Sequence, residues 1–214
     1  MGRLRSFTLL PHAVPRRLTD PIVSVIARTG ATPNQLSALG FLGNVGAGVL
    51  AARGEFLAAG LVMLVFSALD LLDGALARAT GRVTAFGAVL DSSLDRLSEA
   101  AVLAGLAFYF AQRGDKEEIV LGFVALTGSF LVSYVRAQAL AKGLDLREGL
   151  FTRAERVILL AGGLIISQVR IALWILAVMA CATALQRLYA VWERLRHNGA
   201  MPSEAKPAQE ERQE

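Results

Sequence analysis

Residues 70–95 read DLLDGALARATGRVTAFGAVLDSSLD, a stretch that contains four carboxylates within otherwise apolar sequence. Asp70 and Asp73 are three positions apart, so they share one face of a helix. Asp91 and Asp95 are four apart and share a face of the following segment. A short glycine-containing turn between the segments lets the two acidic faces converge. Carboxylate oxygens are the ligands that Mg²⁺ and Mn²⁺ prefer, and two such ions held close together suit phosphoryl chemistry.

The composition of the whole chain is that of a membrane protein. Its 214 residues are 54% hydrophobic and only 19% charged, and the mean hydropathy is +0.49, which favours a polytopic membrane protein over a soluble domain. The single cysteine, Cys181, excludes an internal disulfide and a cysteine-cluster metal site. The formal net charge of +4 comes from cations that flank the apolar runs. This placement favours contact with the cytoplasmic membrane leaflet over binding of nucleic acid.

The apolar runs predict six membrane-spanning helices. The segment that follows Asp20 and Pro21 predicts an amphipathic helix on the membrane surface, and Thr32 with Pro33 marks the start of the first span. The expected spans cover residues 34–52, 56–79, 85–112, 119–141, 154–168 and 171–192. We therefore expect an all-α integral membrane protein with six transmembrane helices plus an N-terminal amphipathic surface helix.

Three regions follow from these spans. Residues 1–30 form a juxtamembrane segment that contains the amphipathic helix, residues 31–196 form the six-helix domain, and residues 197–214 form a disordered polar tail. Loop cations are concentrated on one side if both termini are cytoplasmic, as the positive-inside rule requires. This topology places the turn between the second and third spans, and all four carboxylates, in the cytoplasmic half of the bilayer.

The free energy of burying these carboxylates favours a functional site. One aspartate near the bilayer centre costs about 2.5–3.5 kcal/mol, so four could cost around 10 kcal/mol. Arg78, Arg82 and Arg96 could neutralise part of the charge, but bound metal offsets it more completely and explains why the carboxylates come in facing pairs. A cation or proton transporter is the alternative class. Nothing similar marks the opposite half of the spans, which argues against transport.

The spacing of these residues resembles a known family signature, that of the CDP-alcohol phosphotransferases. Every fixed position is matched by Asp70-x2-Asp73-Gly74-x2-Ala77-Arg78-x8-Gly87-x3-Asp91-x3-Asp95, and the resemblance extends over about residues 20–196. It implies a six-helix membrane enzyme that is usually a homodimer. Together with the topology above, we expect an integral protein of the cell membrane whose active site faces the cytoplasm. Such enzymes cleave a CDP-linked lipid, join its phosphatidyl group to an alcohol and release CMP.

The resemblance also implies roles for individual residues. Asp70, Asp73 and Asp91 would ligate two divalent ions, Mg²⁺ or Mn²⁺, and Asp95 would contribute to them and act as the general base for the acceptor hydroxyl. The CDP group of CDP-diacylglycerol, or of a related CDP-lipid, would lie along Asn34, Asp70, Gly74, Arg78, Thr84 and Gly87. This agrees with the chemistry of the residue types, because glycine lets a nucleotide approach the backbone and arginine pairs with phosphate oxygens.

Three arginines in the later spans bear on the acceptor: Arg136, Arg156 and Arg187. Convergence of their guanidinium groups would make a phosphate pocket, and these segments resemble the phosphatidylinositol phosphate synthases, whose acceptor is inositol 1-phosphate. Archaeal ether-lipid inositol phosphate synthases share much of the pattern, so the lipid part of the donor stays open. Glycerol 3-phosphate, which would give phosphatidylglycerol phosphate, and serine are the alternative acceptors.

Overall fold

The computed structural model describes residues 16–146, 149 and 151–197, and all regular structure within them is α-helical. The helices in chain order are α1 (Arg16–Arg28), α2 (Pro33–Ala52), α3 (Phe56–Thr80), α4 (Ala85–Arg113), α5 (Lys116–Ala141), α6 (Arg153–Ile165) and α7 (Val169–His197). The all-α prediction is confirmed. The first half of the juxtamembrane segment and the polar tail beyond residue 197 lie outside the described residues.

Local sequence explains where the helices near the acidic stretch begin and end. Thr32 and Gln35 form a capping box, in which the Gln35 N–H donates to Thr32 Oγ1 at 3.3 Å and the Thr32 N–H donates to Gln35 Oε1 at 2.9 Å. The helix start predicted at Thr32 is therefore confirmed. Helix α3 ends at Gly81, whose φ of 66° is the left-handed conformation that terminates helices. Helix α4 begins after Thr84, whose Oγ1 accepts from the Gly87 N–H at 2.9 Å.

Helix α2 is the shared wall of the part of the bundle that holds the acidic stretch. It packs extensively on both α3 and α4, whereas α3 and α4 make little direct contact with each other. The close approach of α2 to α4 depends on Gly48 and Gly105, because a Cβ at either position would overlap the backbone of the other helix. Helix α6 packs on α3 and α7, and α5 packs on α4 and α7. The two acidic helices therefore face each other across a gap instead of closing on one another.

Large apolar side chains cover the outside of the bundle as well as its interior. Met63 and Leu106 are almost completely buried, whereas Leu57, Leu61 and Val65 form an outward stripe on α3 with 50–60% of their surface exposed. Soluble proteins rarely expose such continuous apolar surface, and lipid-facing helices require it.

Four of the described helices are long and apolar enough to cross a bilayer, namely α2, α3, α5 and α7. Helix α4 has 29 residues and is long enough to cross a bilayer, but it is not among these four because it carries charged site residues. Helix α6 has only 13 residues and extends about 20 Å, less than the roughly 30 Å of a hydrocarbon core. The predicted fifth span reaches residue 168, whereas α6 ends at Ile165. The chain then turns into α7 through Ser167, which has a φ of 57°. Helix α7 continues to His197 instead of ending near residue 192.

Candidate active site

The four aspartates form two pairs, and the members of each pair lie at similar distances from the α3–α4 connection. Asp73 lies seven residues before the end of α3, and Asp91 lies six residues after the start of α4, so both are about 10 Å from the connection. Asp70 and Asp95 are each ten residues away, or about 15 Å. The structure accordingly brings the Asp73 and Asp91 carboxyl groups within hydrogen-bonding reach of each other. The acidic faces therefore converge at two levels, Asp73 with Asp91 near the connection and Asp70 with Asp95 deeper in the bundle.

At the deeper level, Arg153 bridges the two helices. This arginine is the first residue of α6, and its Nη2 lies 2.6 Å from Asp70 Oδ2 while its Nη1 lies 2.8 Å from Asp95 Oδ1. The side chains of Asp70 and Asp95 are 3% and 19% exposed, whereas that of Arg153 is 28% exposed. One guanidinium group from a third helix therefore neutralises part of the charge of the carboxylates on α3 and α4.

Helix α2 fixes the positions of the carboxylates on α3. The Ser37 hydroxyl donates to Asp73 Oδ2. A Cβ at Gly40 would overlap the Asp70 carboxyl group, so glycine leaves the space that this side chain occupies. Asn44, which is 1% exposed, donates to the Gly40 carbonyl at 2.9 Å and accepts from the Ser67 hydroxyl at 3.3 Å. These polar contacts continue the site into the α2–α3 interface.

A cavity of about 280 Å³ opens between α2, α3 and α4 at the end of the bundle that carries the α3–α4 connection. Asp73 and Asp91 form part of its wall, and Arg78 and Arg82 give it positive charge. Of the six residues predicted along the CDP group, the cavity is lined by Asn34, Gly74, Arg78, Thr84 and Gly87, whereas Asp70 is not part of its lining. A Cβ at Gly87 would lie 2.9 Å from Thr84 Oγ1 and 3.3 Å from Asn34 Oδ1, so glycine keeps space free between these two lining residues.

The donor chemistry of this site fits a divalent cation. Carboxylates approach from two helices, two of them lie within hydrogen-bonding reach, and oxygen ligands of this kind suit Mg²⁺ and Mn²⁺. Asp95 Oδ1 is buried without a hydrogen bond, because its 2.8 Å ion pair with Arg153 lacks hydrogen-bond geometry. Within the described part of the chain, no three His, Cys, Asp or Glu side chains already stand as a ligand set.

The three arginines predicted to hold an acceptor phosphate are in different environments. Arg156 is buried and its Nε lies 3.0 Å from Glu99 Oε1, with Nη2 at 3.3 Å from Oε2. Arg187 is also buried and its Nη1 donates to the Val132 carbonyl at 2.8 Å. Arg136 is exposed on α5, one turn after Val132. Their convergence on a single phosphate pocket stays a prediction.

Sequence reasoning missed three residues that the structure places in or beside this site: Ser37, Glu99 and Arg153. Glu99 had a detectable signal, because it follows Asp95 by four positions and extends the acidic face of α4. Arg153 had none, since no local pattern indicates that the start of α6 reaches carboxylates on α3 and α4.

The chain is similar to known proteins over most of its length. Residues 30–192 match the family described as CDP-alcohol phosphatidyltransferase. A phosphatidylinositol phosphate synthase of Mycobacteroides abscessus is 36% identical over 192 residues, which cover 86% of this chain and 87% of that protein. An archaetidylinositol phosphate synthase of Pyrococcus horikoshii is 39% identical over 177 residues, which cover 82% of this chain and 92% of that protein.

Solved structures of the phosphatidylinositol phosphate synthase of Mycobacterium tuberculosis are similar to this fold. The complex with CDP-DAG has 35% sequence identity and a TM-score of 0.76, and the match covers 82% of this chain and 94% of that one. The complex with manganese and citrate also has 35% identity and a TM-score of 0.76, with 81% and 88% of the two chains covered.

Proposed function

Since the chain belongs to the CDP-alcohol phosphatidyltransferase family, we propose that it transfers the phosphatidyl group of CDP-diacylglycerol to inositol 1-phosphate and releases CMP. The observation that carries this proposal is the convergence of two acidic pairs beside a cavity that contains two arginines. The names of the relatives support the acceptor, and the CDP-DAG complex of the mycobacterial enzyme supports the donor. Because one relative is an archaetidylinositol phosphate synthase, the lipid part of the donor stays open, and the activity assay should be repeated with a CDP-linked ether lipid in place of CDP-diacylglycerol.

The cavity between α2, α3 and α4 is the proposed binding site of the CDP group. Arg78 and Arg82 supply guanidinium groups that pair with diphosphate oxygens. The donor diphosphate would then lie against Asp73 and Asp91, which form part of the cavity wall. Asp70, Asp73 and Asp91, with Asp95 contributing, would hold two Mg²⁺ or Mn²⁺ ions. Such ions, when bound, neutralise the carboxylates and stabilise the negative charge of a transferring diphosphate.

Asp95 is the proposed general base. It lies about one helical turn beyond Asp91, on the side of the site that α6 reaches through Arg153. Its carboxylate takes the proton of an inositol hydroxyl, the hydroxyl oxygen forms a bond to the β-phosphorus, and the bond from that phosphorus to the CMP oxygen breaks. Arg136, Arg156 and Arg187 would hold the acceptor phosphate and so select a phosphorylated alcohol.

We further propose that α4 and α6 also lie within the bilayer, which gives six membrane-embedded helices with both termini and the cavity at the cytoplasmic face. Helix α1 would lie on that face, because Val23 packs with Leu36 and Leu76 near the cavity end of the bundle. Thiol labelling can test this in a Cys181→Ala background, with single cysteines placed at the exposed positions Val83 and Lys116. An impermeant reagent applied to intact cells should label only the cysteine at position 116.

Homodimerisation is proposed on the family resemblance alone. Light scattering of the purified protein in detergent should give twice the mass of one chain, 22.8 kDa, after subtraction of the detergent. A monomeric mass would remove this part of the proposal.

The reaction itself is tested by acceptor screening with the purified protein. CMP release and the mass of the lipid product should be followed with CDP-diacylglycerol, Mg²⁺ and, separately, inositol 1-phosphate, glycerol 3-phosphate or serine. We expect turnover with inositol 1-phosphate and none in the presence of a chelator. Turnover only with glycerol 3-phosphate would replace the acceptor, and cation flux into proteoliposomes without CMP release would overturn the enzymatic assignment.

A further inference from the structure

We propose that Arg153 acts as an internal cation that occupies the acidic site before metal binds and competes with divalent cations for Asp70 and Asp95. The inference rests on the proposed function, because it assumes that these carboxylates bind a divalent ion. According to this inference, the Arg153 guanidinium group must release at least one of the two carboxylates before the metal site can form.

The geometry makes the guanidinium group and a shared metal ion mutually exclusive. Arg153 uses two different nitrogens for two carboxylates, at 2.6 Å from Asp70 and 2.8 Å from Asp95. An ion bound to both would hold their oxygens within about 4 Å of each other, because Mg²⁺–oxygen distances are about 2.1 Å. That space is filled by the planar guanidinium group.

Arg153 compensates the negative charge of the buried aspartates. Carboxylates withdrawn from water on facing helices need a counter-charge, and the guanidinium group supplies it to Asp70, which is the most deeply buried of the pair. A divalent ion carries twice that charge. Binding of the ion therefore replaces a weaker counter-ion with a stronger one, and the affinity for metal is reduced by the free energy needed to detach Arg153.

Arg153 is also placed so that it can leave without opening the core. It is the first residue of α6, and its side chain is 28% exposed. Arg156 lies three positions later on the same helix and is only 5% exposed, so the same movement there would unpack the bundle. Arg153 does not line the CDP cavity. Metal binding, and not entry of the donor, is therefore the event that displaces it.

The test measures metal affinity directly, without substrate. Mn²⁺ binding to the purified protein can be followed by electron paramagnetic resonance, alongside the thermal midpoint with and without Mn²⁺. Arg153→Gln removes the positive charge and the guanidinium group that contacts both carboxylates, so Mn²⁺ should bind about ten-fold more tightly. The metal-free midpoint should fall, and added Mn²⁺ should raise it more than in the wild type. Arg153→Lys keeps the charge but cannot bridge two carboxylates, and should show an intermediate increase in affinity.

Arg96→Gln is the matched control, because it removes one positive charge next to Asp95 while its guanidinium group donates to the Ser92 carbonyl of its own helix. Its effect on Mn²⁺ affinity should be clearly smaller than that of Arg153→Gln. Equal or weaker Mn²⁺ binding by both Arg153 variants would overturn the inference alone. If the wild-type protein bound no Mn²⁺, the metal site of the proposed function would fail together with the inference. Should Arg153→Gln not fold, Arg153→Lys decides.

Discussion

Glu99 of α4 and Arg156 of α6 form a buried ion pair one helical turn beyond Asp95. The Arg156 Nε lies 3.0 Å from Glu99 Oε1 and its Nη2 lies 3.3 Å from Oε2. The Ser129 hydroxyl of α5 donates to the same Oε1 at 2.8 Å. Three helices therefore meet at one carboxylate, which makes this pair a structural support directly behind the proposed catalytic aspartate.

Removal of one member of this pair should destabilise the protein strongly. Arg156→Ala leaves Glu99 buried and uncompensated, so the free energy of unfolding should fall by about 3–5 kcal/mol. The thermal midpoint in detergent measures this. The double variant Glu99→Leu with Arg156→Leu should recover much of the loss because no charge stays buried. The exposed Arg53 gives the control, since Arg53→Ala should change stability by no more than about 0.5 kcal/mol. A midpoint unaffected by Arg156→Ala would contradict the buried pair.

Gly40→Ala should impair activity by displacing a carboxylate. The added Cβ would overlap the Asp70 carboxyl group, and a displacement of about 1 Å can cost roughly 10²-fold in rate. CMP release with CDP-diacylglycerol and inositol 1-phosphate measures the effect. Gly46→Ala is the matched control on the same helix, because a Cβ there meets nothing within 4 Å. Equal activity of the two variants would show that the position of Asp70 does not limit the reaction.

Asp95→Asn tests the proposed base. The amide keeps the size of the side chain but cannot accept the proton, so kcat should fall by about 10²–10⁴-fold. Binding of the CDP-lipid should largely survive, because Asp95 does not line the cavity. Displacement of a labelled CDP-lipid measures binding separately from turnover. Loss of binding with unchanged kcat would assign Asp95 to the donor site instead.

Arg136→Gln tests the acceptor pocket with little structural cost. Arg136 is exposed, so its replacement should leave the thermal midpoint unchanged while KM for inositol 1-phosphate rises about ten-fold, or roughly 1.4 kcal/mol of binding. The exposed Lys142, which follows on from the same helix, provides the control, and Lys142→Gln should leave KM unchanged. If neither variant altered KM, Arg136 would have no role in acceptor binding.

Local sequence accounts for the helices around the site. The Thr32 cap with Pro33, the left-handed Gly81 and the Thr84 cap are all decided within a few residues, and capping energies act at that range. The spacing within each acidic pair decides which face of its helix is acidic. The break between α6 and α7 is marked by the polar residues Ser167, Gln168 and Arg170, but its exact position is harder to predict, because Ser167 adopts the left-handed conformation without being glycine.

The helical bundle, the two acidic faces and the resemblance to one enzyme family can be read from the amino-acid sequence, because they depend on hydrophobicity, capping and residue spacing within single segments. Three contacts of the site could be seen only once the helices were packed: Arg153 bridges Asp70 and Asp95, Gly40 makes room for Asp70, and Arg156 pairs with Glu99. These contacts join residues that are 30 to 83 positions apart. Which side chains meet at such separations depends on how whole helices pack, and no short-range pattern encodes that.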